Sequence, residues 1–429
     1  MHLLCAKTSC IAITFIVVSV LLFATPQLAR CQTETVLYSF SGQSGDGANP
    51  TAGLIMDKAG NLYGTTAWGG DLSCNAGNAE PGCGTVFKLV PAGGNWTESV
   101  LYTFGTQSGD GNVPSRGSLV MSGTKLYGTT LIGGYFSCYS PNGCGTVFEV
   151  TTTTGIETPI YTFTNESDGL YPNGVIEKSG ILYGTTSNGG PDRCGTAFEL
   201  TPPAKERGAW TMTVLDDFGY QPDDGGCDVN SGLIYKDAVL YGTTFEDGAD
   251  GGGAIFGLSA TEPGLFTILY NFMTPPSDGF APAAGLIIDS EGNIYGTTEY
   301  GGAYGSPHES TGGTVLELSA AGTETLLFSF GGYSGDGLLP EAGLIRYKSN
   351  LYGTTYTGGA YGHGTVFKLA HPVKKGAPWT ETILHSFGAQ SDDGRYPTAG
   401  LIVDKEGNLY GTTNAGGAYG SGTVFEITP

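Results

Sequence analysis

The chain has 429 residues, 73 of them Gly, with 11% aromatic and 14% charged residues and a net charge of −22. That aromatic content excludes a disordered chain, and the glycines lack the strict three-residue period of collagen. An acidic field of this size repels phosphate backbones and anionic lipid, so nucleic acid is excluded as a partner.

At the N-terminus Lys7 precedes an apolar run over residues 11–24, followed by Thr25 and Pro26. This reads as a signal peptide over 1–31, cleaved after Cys31 to leave Gln32 first. Lipoprotein anchoring at Cys31 is the alternative, which Arg30 fits poorly. Lys7 and Arg30 are the strong bases before Glu34, and no acid precedes it, so the mature chain is more acidic still. The run is too short to span a membrane comfortably, and no later segment resembles a transmembrane span. The expected location is secreted, periplasmic or at the cell surface.

From residue 34 onward one pattern recurs. Tyr-Gly-Thr-Thr occurs seven times, beginning at Tyr63, Tyr127, Tyr183, Tyr241, Tyr295, Tyr352 and Tyr410. Upstream of it lies a Gly-plus-aliphatic run such as Gly53-Leu54-Ile55, and downstream Gly-Thr-Val-Phe or a variant, as at Gly84 and Gly422. An aromatic-ended run such as Val100-Leu101-Tyr102-Thr103-Phe104 completes each copy. These runs are short, rich in β-branched and aromatic residues and bounded by Gly, Asp, Asn or Pro, which are strand signals. Four strands per copy, seven times over, predict an all-β fold: a single seven-bladed β-propeller over 32–429 with four antiparallel strands per blade. The blade repeats fall at about 51–104, 115–163, 173–218, 231–272, 283–330, 341–387 and 398–429. The last copy has three strands, and residues 34–40 match the missing fourth. The ring is therefore expected to close by pairing 34–40 with 422–428, which removes two exposed sheet edges.

Asn61-Leu62-Tyr63-Gly64-Thr65-Thr66, then Gly69-Gly70, then Gly84-Thr85-Val86-Phe87 closely resembles the Gloeo/Verruco (GloVer) tandem repeat of bacterial surface and secreted proteins. The Asp57-x-x-Gly60-Asn61-Leu62-Tyr63 core is similar to that of NHL-type propellers. The resemblance covers 34–429 and implies export, often with a choice of C-terminal anchor. Here the last blade strand is expected to end the chain without one. It implies no activity and carries over no catalytic residue.

If the first strand of each blade lines the channel, the loops from strand two to three and from strand four to the next blade share one face. Cys74, Cys83, Cys138, Cys144, Cys194 and Cys227 all lie there and suggest three disulfides. Cys74 with Cys83 and Cys138 with Cys144 are near neighbours, and a Cys194–Cys227 bridge is open to the remaining pair. The same face offers Trp68, Tyr135, Phe136, Tyr139, Tyr300, Tyr304, Tyr356, Tyr361 and Tyr419 as a stacking platform for sugar rings or a protein-binding surface. The competing reading packs Tyr304, Tyr361 and Tyr419 beneath their own loops. Trp96, Trp210 and Trp379, on the opposite side, read as packing residues.

Each junction between blades holds an Asp-Gly pair, at Asp46, Asp110, Asp168, Asp224, Asp278, Asp336 and Asp393. These are either a carboxylate ring for Ca²⁺ or turn caps, and sevenfold repetition favours caps. Glu246, Asp247 and Asp250 form the best cation cluster, and Ca²⁺ is the cofactor considered; otherwise none is expected. The mature histidines, His308, His363, His371 and His385, show no metal-binding spacing, and no catalytic fingerprint stands in its required setting. The reading is a monomeric, non-catalytic binding or scaffold propeller taking an extracellular glycan or protein ligand. The alternatives are a polysaccharide hydrolase or lyase using acidic loop residues, and a purely structural surface protein.

Overall fold

The computed structural model describes residues 33–428 except 75–79, 135–141, 165–166, 206–207, 220–225, 247–250, 274–278, 306–310 and 375. In blade 1, Ile55–Met56, Leu62–Thr66, Thr85–Ala92 and Asn95–Thr103 pair in that order, each antiparallel to the next. Six further four-stranded sheets repeat the arrangement, their second strands being Lys125–Thr130, Ile181–Asn188, Val239–Thr244, Ile294–Thr298, Asn350–Thr355 and Leu409–Thr413. Numbered in that order, they are blades 2 to 7. Blade 7 takes its outermost strand from the N-terminus: Thr33–Ser39 pairs with Thr423–Thr428, from Thr33↔Thr428 to Ser39↔Thr423, with a bulge between Val36 and Tyr38. Among the described residues there is no helix, and so none long and apolar enough to cross a membrane.

The residues after the Asp-Gly turns, outside the expected strands, pair as well. Gly47–Ala48 joins Trp68–Gly69, and the same two-residue ladder recurs in blades 2, 6 and 7. In blade 3 it merges into one long strand, Leu170–Lys178, interrupted by a register shift between Pro172 and Val175.

Blades adhere through a repeated aromatic contact. The Phe closing each fourth strand packs edge-on against the Phe of Gly-Thr-Val-Phe in the next blade. Phe40–Phe87, Phe104–Phe148, Phe330–Phe367 and Phe387–Phe425 lie with ring centroids 5.0–5.1 Å apart. Phe163–Phe198 and Phe218–Phe256 are similar, at 5.4 and 5.1 Å. At the blade 4–5 junction Phe272 meets Leu316 in one cluster instead. All these rings are fully buried, and such pairs are worth about 0.5–1.5 kcal/mol each beyond the area they bury. The Gly of Tyr-Gly-Thr-Thr makes room for the ring. Gly128 stands across the ladder from Phe148, and a Cβ on it would fall 2.5 Å from the ring tip and 2.8 Å from Leu119.

The two threonines divide their labour. The first sends its hydroxyl to a backbone carbonyl of the next blade, as in Thr65 to Pro114 (2.8 Å) and Thr243 to Pro282 (2.9 Å). Thr412 to Ala52 (3.2 Å) does the same across the closure. The second shares a buried hydroxyl contact with the Thr of Gly-Thr-Val-Phe, as in Thr66–Thr85 at 2.8 Å. On the far side Trp96 packs on Tyr410 and Trp210 on Tyr127, so these tryptophans are packing residues as expected.

The described junction aspartates are caps. Asp110 accepts N–H bonds from Gly105 (2.8 Å) and Thr106 (3.2 Å) and the Tyr102 hydroxyl (2.8 Å); Asp336 accepts from Gly331 and Gly332, both at 2.8 Å. Asp224 and Asp278 lie outside the described residues. A second carboxylate stands close to several caps. Burial, with the Asp110 charge added, pushes Glu157 up to about 8, and burial with Asp46 pushes Glu98 to about 7. Glu381, near Asp336, is likewise raised by burial to about 7.

Two outcomes follow. Gly128→Ala forces a methyl into the Phe148 ring and should cost about 1–3 kcal/mol in denaturant unfolding. Gly296→Ala, opposite Leu316 and meeting only the Leu286 tip at 2.8 Å, should cost less. Glu157 holds a proton in the native chain up to a pH of about 8, whereas its ordinary value is 4.5. Between those values the folded state binds more protons than the unfolded one, so stability falls as pH rises. Glu157→Gln should therefore raise the melting temperature over wild type at pH 8 and change it little at pH 4.5.

Candidate functional site

Each blade enters its first strand through a tight segment that begins with a non-Gly residue in the left-handed region. Asn49, Val113, Tyr171, Asp228, Ala281, Leu339 and Tyr396 all have φ between 54° and 60°. Such a conformation costs on the order of 1–3 kcal/mol, most for a β-branched residue such as Val113. Backbone bonds hold it: Val113 donates its N–H to Cys83 of the preceding blade and accepts from Leu131 and Ser115 of its own, all at 2.9 Å. The residues that follow converge on the axis. There they line a cavity of about 600 Å³ to which all seven blades contribute, so the segments leading into the first strands face the channel.

Hydroxyls and amides lace the rim together. Thr398 donates to the Thr51 carbonyl (3.4 Å) and Thr51 to that of Ser115 (2.9 Å). Asn173 donates to the Val229 carbonyl and, at 3.2 Å, to the Thr185 hydroxyl. Into this ring blade 2 inserts Arg116, whose Nη1 donates to Asn173 Oδ1 (2.8 Å) and Asn230 Oδ1 (3.2 Å). Burial pushes the guanidinium down while Asp228 pulls it back up, and it keeps its charge. No carboxylate forms a salt bridge with it among the described residues.

The other wall is acidic. Glu299 follows the second strand of blade 5, and Glu341 leads into blade 6. Burial raises Glu341 to about 7, with Glu299 adding to the effect, and burial also raises Glu299 against a hydrogen bond with Tyr300. In a ring of seven, blades 5 and 6 are each three places from blade 2, the largest separation available. The mouth is thus split by charge. Arg116 has N–H groups beyond Nη1 to offer an anionic or hydroxylic ligand, and the two carboxyls can donate or accept opposite it.

Of the aromatics expected here, Tyr300 and Tyr356 flank the acidic wall. Tyr300 packs on Phe280 (centroids 5.3 Å) and Tyr356 on Tyr396 (5.2 Å), with Tyr356 sensing the Glu341 charge. Trp68 is half-buried against the core of blades 1 and 2. Tyr304, Tyr361 and Tyr419 are 60%, 53% and 64% exposed, so they do not pack beneath their loops; Tyr304 lies over Gly332 of the next junction. No ring contact joins Trp68, Tyr300 and Tyr356 to one another, so the described aromatics form separate pairs and not one platform. Tyr135, Phe136 and Tyr139 lie outside the described residues.

Cys74–Cys83 and Cys194–Cys227 are disulfides, the second tying the long loop of blade 3 to the junction before blade 4. Each restricts the unfolded chain, worth on the order of 2–4 kcal/mol. Cys144 is disulfide-bonded, and Cys138 lies outside the described residues. Glu246 is exposed and pairs through its backbone with Cys227, while Asp247 and Asp250 lie outside the described residues.

Arg116, Glu299 and Glu341 were not among the expected site residues. The signal was present as departures from the repeat. Arg116 occupies a position that is Ala52, Ala284, Ala342 or Ala399 in other blades, and Glu341 one that is Thr51, Ala283 or Thr398.

The Gloeobacter/Verrucomicrobia repeat matches residues 25–256, 82–306 and 228–429. No curated protein is similar enough to match. Among solved structures, the chain is similar to the GH74 xyloglucanase from Xanthomonas campestris (12% identity, TM-score 0.50, 89% of this chain and 52% of that one). An oligogalacturonate lyase in complex with manganese is comparable (10%, 0.48, 92% and 96%), and TolB from Acinetobacter baumannii is more distant (11%, 0.35, 61% and 49%). The chain thus spans about half the length of TolB and of the xyloglucanase. At 12% identity the likeness to the xyloglucanase shows the fold alone. The repeat runs through every blade described above, and the chain belongs to the Gloeobacter/Verrucomicrobia repeat family.

Proposed function

We propose that this is an exported, non-catalytic binding propeller that takes the end of a carboxylate-bearing glycan into its channel mouth. The observation that carries this is the charge-split mouth: a guanidinium fixed by two asparagines on one side, two carboxyls on the other. A sugar acid presents a carboxylate for Arg116 and hydroxyls for Glu299 and Glu341, and Tyr300 and Tyr356 offer ring faces beside the acids. The disulfides support an oxidising compartment, where glycans are abundant. The strongly acidic chain repels extended polyanions, which favours a single acidic terminus over a polyanionic stretch.

The second reading, a polysaccharide hydrolase or lyase, is favoured by one fact. Glu341 stays protonated up to about 7 beside Glu299, which is how an acid–base carboxyl pair is built.

A glycan array with and without uronic or sialic acid carboxylates, paired with a reducing-end assay, separates the two. Binding confined to carboxylated glycans, with no new reducing ends, is the expected result. Hydrogen bonds to charged groups contribute about 1.5–3 kcal/mol, so Arg116→Ala should lower affinity roughly 10- to 100-fold. Unchanged affinity in that variant would sink the binding site. Reducing ends that vanish in Glu341→Gln would establish the hydrolytic reading in its place.

A further inference from the structure

At the junctions after blades 1 and 2, the residue two before the buried Phe is a Tyr that donates to the capping Asp. Tyr102 reaches Asp110 at 2.8 Å and Tyr161 reaches Asp168 at 2.9 Å. After blade 6 that residue is His385. Its Nε2 lies 3.3 Å from Asp393 Oδ1, while Asp393 Oδ2 is occupied by the N–H groups of Gly388 (2.8 Å) and Ala389 (3.0 Å). A third group arrives from the other end of the chain. Glu34, in the closing strand Thr33–Ser39, brings a carboxylate oxygen so that one donor atom of each residue lies within 4.8 Å of the other two. Asp393 is buried, Glu34 and His385 are half-buried, and Glu34 Oε1 is buried with no hydrogen-bond partner.

We propose that Glu34, His385 and Asp393 form a binding site for a borderline-soft divalent cation of the Zn²⁺ class, which clips the N-terminal strand onto blade 6. One imidazole and two carboxylates are a nitrogen–oxygen donor set that such ions accept, with further positions left to water. Ligands at zinc distances in a tetrahedron stand about 3.4 Å apart, so the His385–Asp393 pair already has the required span and only Glu34 must draw in. The orphaned Glu34 oxygen would gain a partner. Asp392 adds negative charge nearby, and no Lys or Arg is among the groups that shift Glu34. The site is independent of the channel mouth.

Tyr is the natural residue at the equivalent position in blades 1 and 2, which supplies a variant that should fold. Full-length mature protein, stripped with EDTA, is titrated with ZnCl₂ by calorimetry and melted with and without the metal. The expected result is uptake of a single Zn²⁺ that raises the melting temperature, with both effects lost in His385→Tyr. Glu34→Gln should weaken uptake roughly tenfold or more. A wild-type protein that takes up no Zn²⁺, or variants that take it up as the wild type does, would overturn the site. Uptake that survives in His385→Tyr but fails in other histidine variants would equally do so, by placing the metal elsewhere.

Discussion

A single blade of this protein cannot bury its own outer aromatic residue. The Phe at the end of each fourth strand finds its cover on the next blade, at six junctions against a second Phe whose cross-strand neighbour is Gly and at the blade 4–5 junction against Leu316. Stability is therefore a property of blade pairs, and a linear row would always leave one blade uncovered. Closure resolves this. Phe40, carried by the residue after the N-terminal strand, packs on Phe87 of blade 1 while that strand completes blade 7. The other interactions that cross between blades, the threonine hydroxyls and the backbone bonds of the left-handed residues, act on surfaces that this packing has already brought together.

Those left-handed residues connect the packing to the site. Asn49, Val113, Ala281, Leu339 and Tyr396 each donate to the preceding blade and accept from their own, so their strained backbone is fixed at both ends and the segment after it has little freedom. Arg116, Glu299 and Glu341 are set close to such positions, Arg116 three residues beyond Val113 and Glu341 two beyond Leu339. A mouth built this way is preorganised: a ligand of the kind proposed would meet contacts that are already ordered.

The architecture was legible in the sequence because every repeat unit restates it. Seven Tyr-Gly-Thr-Thr runs with constant neighbours name the strands, and the three-strand seventh copy with a spare strand at 34–40 names the closure. Placing two kinds of loop on one face made a Cys194–Cys227 bridge possible, and the structure holds it. The site was much less legible, for the opposite reason. Repetition draws attention to what recurs, such as Tyr304, Tyr361 and Tyr419, whereas the mouth depends on what does not recur. Arg116 where four blades have Ala and Glu341 where the others have small or neutral polar residues look like noise along the chain and acquire meaning only when seven equivalent positions face one another. His385 illustrates the same limit. It has no partner at any metal-binding spacing along the chain, because Glu34 lies at the far end and meets it only after the ring closes.

A sevenfold ring with identical blades could present only a uniform rim, one kind of group repeated around the axis. Discrimination between ligands needs unlike groups at fixed separations, which requires that symmetry be broken at positions the fold does not use. The channel-lining positions satisfy that condition. The Phe pairs, the Gly slots and the threonine bonds keep the blades together whichever side chain stands there, so Arg116 and the two glutamates can differ without loosening the ring. The same logic holds at the cap after blade 6, where His replaces Tyr yet still contacts the aspartate. Both proposed sites rest on departures from the repeat, and the repeat's redundancy is what makes the departures tolerable.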